Sequence, residues 1–255
     1  MTEKHETPRL APPVVLLHGV GLDRTVWDAL RALMPEQTDA LDLPGHGARP
    51  PLRAPASLAE LADDVRARMP RGPVHLVGFS LGALIAQHIA AFHPEVVASL
   101  TCVSSVCKRT PDEAAAVAGR LEAARADFPA SVATSLERWF PHDTEVPPAT
   151  IVATERVLLA NDRASYLHAY EVFATGDAVI APELHRITAP TLAITGELDP
   201  GSTPEMTARL AAAVPGARAL VVPGARHMLP VEDAPALAAA LTAFIDETQK
   251  AEATA

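Results

Sequence analysis

The sequence predicts an α/β protein: a mostly parallel sheet flanked by helices, with a helical insertion late in the chain. Three observations point there. Apolar, β-rich runs alternate with segments of helical periodicity, the order that builds a parallel sheet covered on both faces. That rhythm stops over residues 108–187, which read as helical without a convincing strand, and then resumes. The 255 residues, 49% of them hydrophobic, suffice to bury one sizeable core with a modest addition. The expected division is therefore a core of residues 1–107 and 188–255 and a helical unit of residues 108–187.

The elements follow in order. "PVVLLH" (13–18) is the first firm strand and "TDALDLP" (38–44) the second. A helix starts after Ser57, because Ser57 and Glu60 stand at capping-box spacing and Leu58, Leu61 and Val65 then share one face. "VHLVGF" (74–79) is the third strand, and "LGALIAQHIAAF" (81–92) places Leu81, Leu84, Ile85, His88 and Ile89 at helical spacing. A fourth strand spans residues 96–105. The insertion is broken at the proline-rich "PHDTEVPP" (141–148). "PTLAITG" (190–196) restores the strand pattern, and Thr203 with Pro204 suits the N-cap and first position of the next helix. "ARALVVPG" (217–224) is the last strand and "APALAAALTAFI" (234–245) the last helix, with the polar tail 247–255 expected to be disordered.

Composition excludes several classes of function. No run approaches the roughly 18 apolar residues of a membrane span. The opening "MTEKHETPRLAPP" lacks the pattern of a secretory signal, so the expected compartment is the cytoplasm. A formal net charge of −10 opposes a nucleic-acid partner, which would need clustered Lys and Arg. Cys102 and Cys107 lie in one apolar stretch and read as buried thiols. The histidines are scattered without ligand spacing, so neither a metal nor another cofactor is expected.

Chemistry concentrates around "GFSLG", with Gly78, Ser80 and Gly82 set between a strand and a helix. A serine lifted above a sheet on a sharp turn leaves room only for small residues two positions either side. It would also stand at a helix N-terminus, where the Leu81 N–H can hold a developing oxyanion. Hydroxyl attack at neutral pH needs a base, and the base an orienting acid. His227 follows the last strand in "PGARHMLPVED" and returns to the same sheet edge. "ITGELDPGST" offers Asp199 as the acid, with Glu197 as the alternative. The turn in "LLHGVGLD" provides the Val20 N–H as a second oxyanion donor, while His18 and His46 are read as ordering their loops.

Together "VVLLHGVGLD", "LDLPGHG", "VHLVGFSLGALIAQ", "TLAITGELD" and "VVPGARHMLPVEDAP" resemble the α/β-hydrolase family over residues 13–246. The order Ser80, Asp199, His227 is the one that family uses. Within it, "SLERWF" (135–140) and "ASYLHAYEVFATGD" (164–177) are similar to the 3-oxoadipate enol-lactonases and related small esterases. Leu81 stands where that group commonly has Met, and His18-Gly19 where it has a small polar pair. Only residues 1–12 precede the first strand, so the family's initial hairpin is expected to be shortened.

The resemblance implies hydrolysis of a small carboxylic ester or lactone through an acyl-enzyme. The insertion would then be a cap over Ser80, with Trp139, Phe140, Tyr166, Tyr170 and Phe173 as candidates for the pocket. If the substrate carries a free carboxylate, as an enol-lactone acid does, Arg138 and Arg109 are the candidate cations. The same frame also supports hydrolysis of a C–C bond in a diketone, perhydrolase chemistry, or a non-catalytic ligand receptor.

Overall fold

A computed structural model describes residues 12–34 and 38–254. Six strands form one sheet in the order β2-β1-β3-β4-β5-β6, and every pairing is parallel. They are β1 (Val14–Leu17), β2 (Thr38–Leu41), β3 (Val74–Phe79), β4 (Val97–Val103), β5 (Thr191–Gly196) and β6 (Arg218–Val222). The four inner strands are buried along their whole length, as expected of parallel strands covered on both faces. Of the edge strands, β2 is mostly half-buried and β6 is exposed except at Val222.

The helices are α1 (Asp28–Leu33), α2 (Leu58–Arg68), α3 (Leu81–Phe92), α4 (Pro111–Ala126), α5 (Phe128–Trp139), α6 (Pro148–Leu159), α7 (Arg163–Ile180), α8 (Pro204–Ala213), α9 (Leu229–Glu232) and α10 (Ala234–Ala253). The capping box at Ser57 and Glu60 starts α2, and Thr203 caps α8 as its sequence demands. On α3, Leu81, Leu84, Ile85 and Ile89 are buried, whereas His88 is only partly so. None of the helices among the described residues is long and apolar enough to cross a membrane.

Between β4 and β5 the chain forms only helices α4–α7 and a short 3-10 segment, with the break between α5 and α6 at the proline-rich stretch. The last of these helices lies against α2 and α3. It is held by polar contacts at both ends. Near its start, Ser165 Oγ donates to the Gly45 carbonyl and accepts from the Leu52 N–H, at 3.0 and 2.9 Å. Near its end, Asp177 pairs with Arg109.

The tail is not disordered up to Ala253, because α10 continues through it. Its Ala, Glu, Gln and Lys residues extend an established helix at little cost. Thr248 is buried, and Gln249 reaches His75, with their nitrogens 3.2 Å apart. The expected shortening of the N-terminal hairpin concerns residues 1–12, of which 1–11 lie outside the described residues.

The topology positions the functional loops. After β1 the chain builds β2 on one side and then returns to place β3 on the other, so the order reverses between β1 and β3. Open α/β sheets bind ligands beyond the carboxyl ends of their strands at such a switch point. Val20 follows β1 and Ser80 follows β3, at that crevice.

Candidate active site

Ser80 joins β3 to α3 with φ 54° and ψ −113°, a conformation that costs a residue with a Cβ about 1–3 kcal/mol. Packing around it enforces the turn. A Cβ on Gly78 would fall 2.3 Å from the Gly82 carbonyl oxygen, and one on Gly82 would fall 2.3 Å from that of Leu17. The two glycines flanking the serine are thus required by backbone approaching backbone. Ser80 N–H donates to Val103 O at 3.0 Å and Gly82 N–H to His18 O at 3.1 Å, tying the turn to β4 and to the loop after β1. Leu81 is the first residue of α3, where an N–H has no partner within the helix.

The loop after β5 holds Asp199, 3% exposed, in a shell of donors. Its Oδ1 accepts from the Gly201 and Ser202 N–H groups at 2.8 and 2.9 Å. Its Oδ2 accepts from His227 Nδ1 at 2.8 Å. Burial presses the carboxyl upward, but the His227 ring and the two backbone donors outweigh it and hold Asp199 below the ordinary carboxylate range. An ionised carboxylate can only accept, so Nδ1 of His227 is the donor in this bond and Nε2 is not engaged by it. Glu197, the alternative acid, is exposed and accepts instead from the Gly224 N–H at 2.9 Å.

His227 is fixed on further sides. Its carbonyl accepts from Ser104 Oγ at 3.2 Å. Its ring lies between Phe79, at a centroid distance of 5.2 Å, and Trp139 of α5, stacked at 5.8 Å. Ser104, whose φ is 45°, and Ser202 were not singled out by sequence reasoning. Serines and threonines after strands are too common to signal such roles.

Ser80, His227 and Asp199 share a cavity of about 40 Å³ with Val20. Trp139, Tyr166, Tyr170 and Phe173 close it from α5 and α7, joined by Arg138 and Ser135 of α5 and by Arg120 of α4. Two sequence candidates are placed elsewhere. Phe140 is buried in the core and does not line the cavity. Arg109 is turned away and paired with Asp177, because a guanidinium buried at this position needs a carboxylate. Arg120 takes its place in the cavity. It was missed because α4 carries two arginines, Arg120 and Arg125, and only the helix packing selects one. A larger open groove, about 890 Å³, runs between residues 22–28 and α6, with neither Ser80 nor His227 in its walls.

The remaining histidine candidates are structural by geometry. His18 is fully buried, donates from Nδ1 to Gly19 O at 2.7 Å and accepts from the Leu43 N–H at Nε2, at 2.9 Å. Burial, helped by neighbouring His46, pulls its imidazole down to about 3. His46 Nδ1 donates to Pro44 O at 2.9 Å within the loop after β2.

Comparison with known proteins agrees with this architecture. Residues 14–241 match the model of the alpha/beta hydrolase family. The chain is 33% identical over 244 residues to the (E)-2-((N-methylformamido)methylene)succinate hydrolase of Acinetobacter baylyi, covering 92% of this chain and 91% of that one. It is 29% identical over 265 residues to the pimeloyl-(acyl-carrier protein) methyl ester esterase of Neisseria meningitidis, covering 96% of each. Among solved structures it is similar to the enol-lactonase of Burkholderia xenovorans, with TM-score 0.84, 26% identity and coverage of 96% and 94%.

Proposed function

Because the chain belongs to the alpha/beta hydrolase family, we propose that it hydrolyses a small carboxylic ester or lactone, with Ser80 as nucleophile, His227 as base and Asp199 as its orienting acid. The observation that carries this reading is the 2.8 Å bond from His227 Nδ1 to Asp199, made in the cavity that also contains the strained Ser80. The names of the relatives, a hydrolase, a methyl ester esterase and an enol-lactonase, support ester chemistry.

The steps follow from the residues. His227 Nε2 takes the proton of Ser80 Oγ as the oxygen attacks the substrate carbonyl, forming a C–O bond and an oxyanion. The N–H groups of Val20 and Leu81 hold that oxyanion. Collapse expels the alkoxide or enolate, which takes the proton from His227 and leaves an acyl-Ser80. Water, deprotonated by His227, then attacks the acyl carbon and restores the serine. Asp199, fixed by Gly201 and Ser202, stabilises the imidazolium in both halves.

We read residues 108–187 as a cap over this cavity, since Arg120, Ser135, Trp139 and Tyr166 reach into it from that segment.

A fluorophosphonate probe tests the nucleophile: the folded protein should gain one adduct on Ser80, and Ser80→Ala none. Absence of the adduct from the wild type would overturn the reading. Assays with a short-chain aryl ester, an enol-lactone and a vinylogous diketone separate ester from C–C bond cleavage. Ser80-dependent turnover of the diketone alone would move the assignment to a C–C hydrolase.

A further inference from the structure

The cavity holds two positive charges that the hydrolytic steps do not use. Arg120 on α4 and Arg138 on α5 both line it, and both are half-buried. Neither forms an ion pair with a carboxylate among the described residues, whereas Arg109 and Arg209 nearby are taken up by Asp177 and Glu113. The Arg138 guanidinium has only a 3.5 Å contact with Ser135 Oγ and a position over the Trp139 ring, 5.9 Å from its centroid. The one acid in the cavity wall among the described residues, Asp199, is committed to His227 and to two backbone donors.

Two neighbouring guanidiniums in a partly desolvated cavity oppose one another. Burial and then Arg120 both press against the charged form of Arg138. An anion between them offsets both effects by attraction, and a planar carboxylate matches the guanidinium fork. Tyr166 lines the same wall, and burial raises its hydroxyl, keeping it a neutral donor. On a chain of formal charge −10, an unpaired cationic pocket marks a site rather than a general surface property.

We infer that Arg120 and Arg138 form a carboxylate subsite, so that the preferred substrates are half-esters or lactone acids carrying a free carboxylate remote from the scissile bond. The inference rests on the hydrolase reading for its substrate class but not for its binding measurement. Both residues are specificity residues; the bond-breaking steps belong to Ser80 and His227.

The test compares 4-nitrophenyl hydrogen glutarate with its neutral isostere, 4-nitrophenyl 5-methylhexanoate. The expected wild-type preference in kcat/KM is about tenfold or more for the anionic ester, the size of one charge-assisted contact. Arg120→Gln and Arg138→Gln should each shrink that ratio, the double variant should bring it near one, and Arg138→Lys should recover part of it. Equal kcat/KM for the two esters in the wild type, or a preference that survives in the double variant, would overturn the subsite. A second measurement is independent of turnover: calorimetric titration of glutarate into Ser80→Ala protein, and into Ser80→Ala carrying both Gln substitutions. Binding should weaken about tenfold or more in the latter; unchanged binding, or none to either protein, counts against the subsite. If neither ester turns over and Ser80 takes no probe, the hydrolase reading fails, and the titration still decides the subsite. Thermal unfolding of each variant shows that the fold is retained.

Discussion

Arg109 and Asp177 form an ion pair whose side chains are 3% and 6% exposed, with Nη1 and Oδ1 2.6 Å apart. Arg109 N–H also donates to Asp177 Oδ2, and its guanidinium to the carbonyls of Phe173 and Ala174. The pair therefore fastens the chain leaving β4 to the last turns of α7. Removing one partner leaves the other charge buried alone, which costs about 3–5 kcal/mol in comparable cases. Asp177→Asn should lose somewhat less, about 2–3 kcal/mol, because two carbonyls still hold the guanidinium. Denaturant unfolding measures this; a change below 1 kcal/mol, the range of an exposed pair, would contradict it.

A second prediction concerns Ser80. Its φ of 54° and ψ of −113° suit glycine. Relief of about 1–3 kcal/mol of backbone strain exceeds the roughly 0.4–1 kcal/mol of chain entropy that a glycine adds to the unfolded state. Ser80→Gly should unfold at a higher temperature than the wild type while losing all labelling by the probe. A lower Tm would show that the serine is not held under strain.

Much of this site was legible because its parts sit where regular elements end. β3 and α3 could be bounded to the residue, since an apolar run meets a helical period at Ser80. Asp199 and His227 were read from strand order; in the structure Asp199 bonds to His227 and Glu197 to the Gly224 N–H. The walls of the cavity were less legible. Arg109 and Arg120 lie in the same polar stretch, and only the packing of α4 on α7 turns one toward Asp177 and the other toward Ser80. The tail 247–253 read as polar and unpacked, yet Thr248 is buried and Gln249 reaches His75 of β3, contacts that no local pattern carries. Local periodicity records elements and their ends, while the facing of a long polar side chain depends on the neighbouring helix.

His18 gives a prediction in pH. Buried and pulled down to about 3, it stays neutral in the folded protein while an unfolded histidine titrates near 6.5. Between those values the unfolded chain binds the extra proton. Stability should therefore fall as pH drops from 6.5 toward 3, because protonating the folded ring would keep the Nδ1–H bond to Gly19 but cost Nε2 its place as acceptor of the Leu43 N–H. His18→Asn should be less stable at pH 7 and show a shallower decline over that window. Urea midpoints against pH decide it, and equal slopes in the two proteins would count against His18 as the titrating group.

Glu232 carries the opposite sign. Its carboxylate accepts the Arg226 N–H at 3.1 Å, one residue before His227. Burial pushes it up to about 7, against the pull of that N–H, the Arg226 charge and His227, while Asp199 adds to the rise. The folded protein thus holds a proton that the unfolded chain releases near 4.5. Stability is lost as pH climbs from 4.5 to about 7 and stays lost above it. Glu232→Gln keeps an acceptor for the Arg226 N–H but removes the charge. Its Tm should exceed that of the wild type at pH 8, and the gap should close as pH falls below 4.5. A gap that is constant with pH, or that widens on acidification, would mean that the carboxyl at 232 ionises freely in the folded protein.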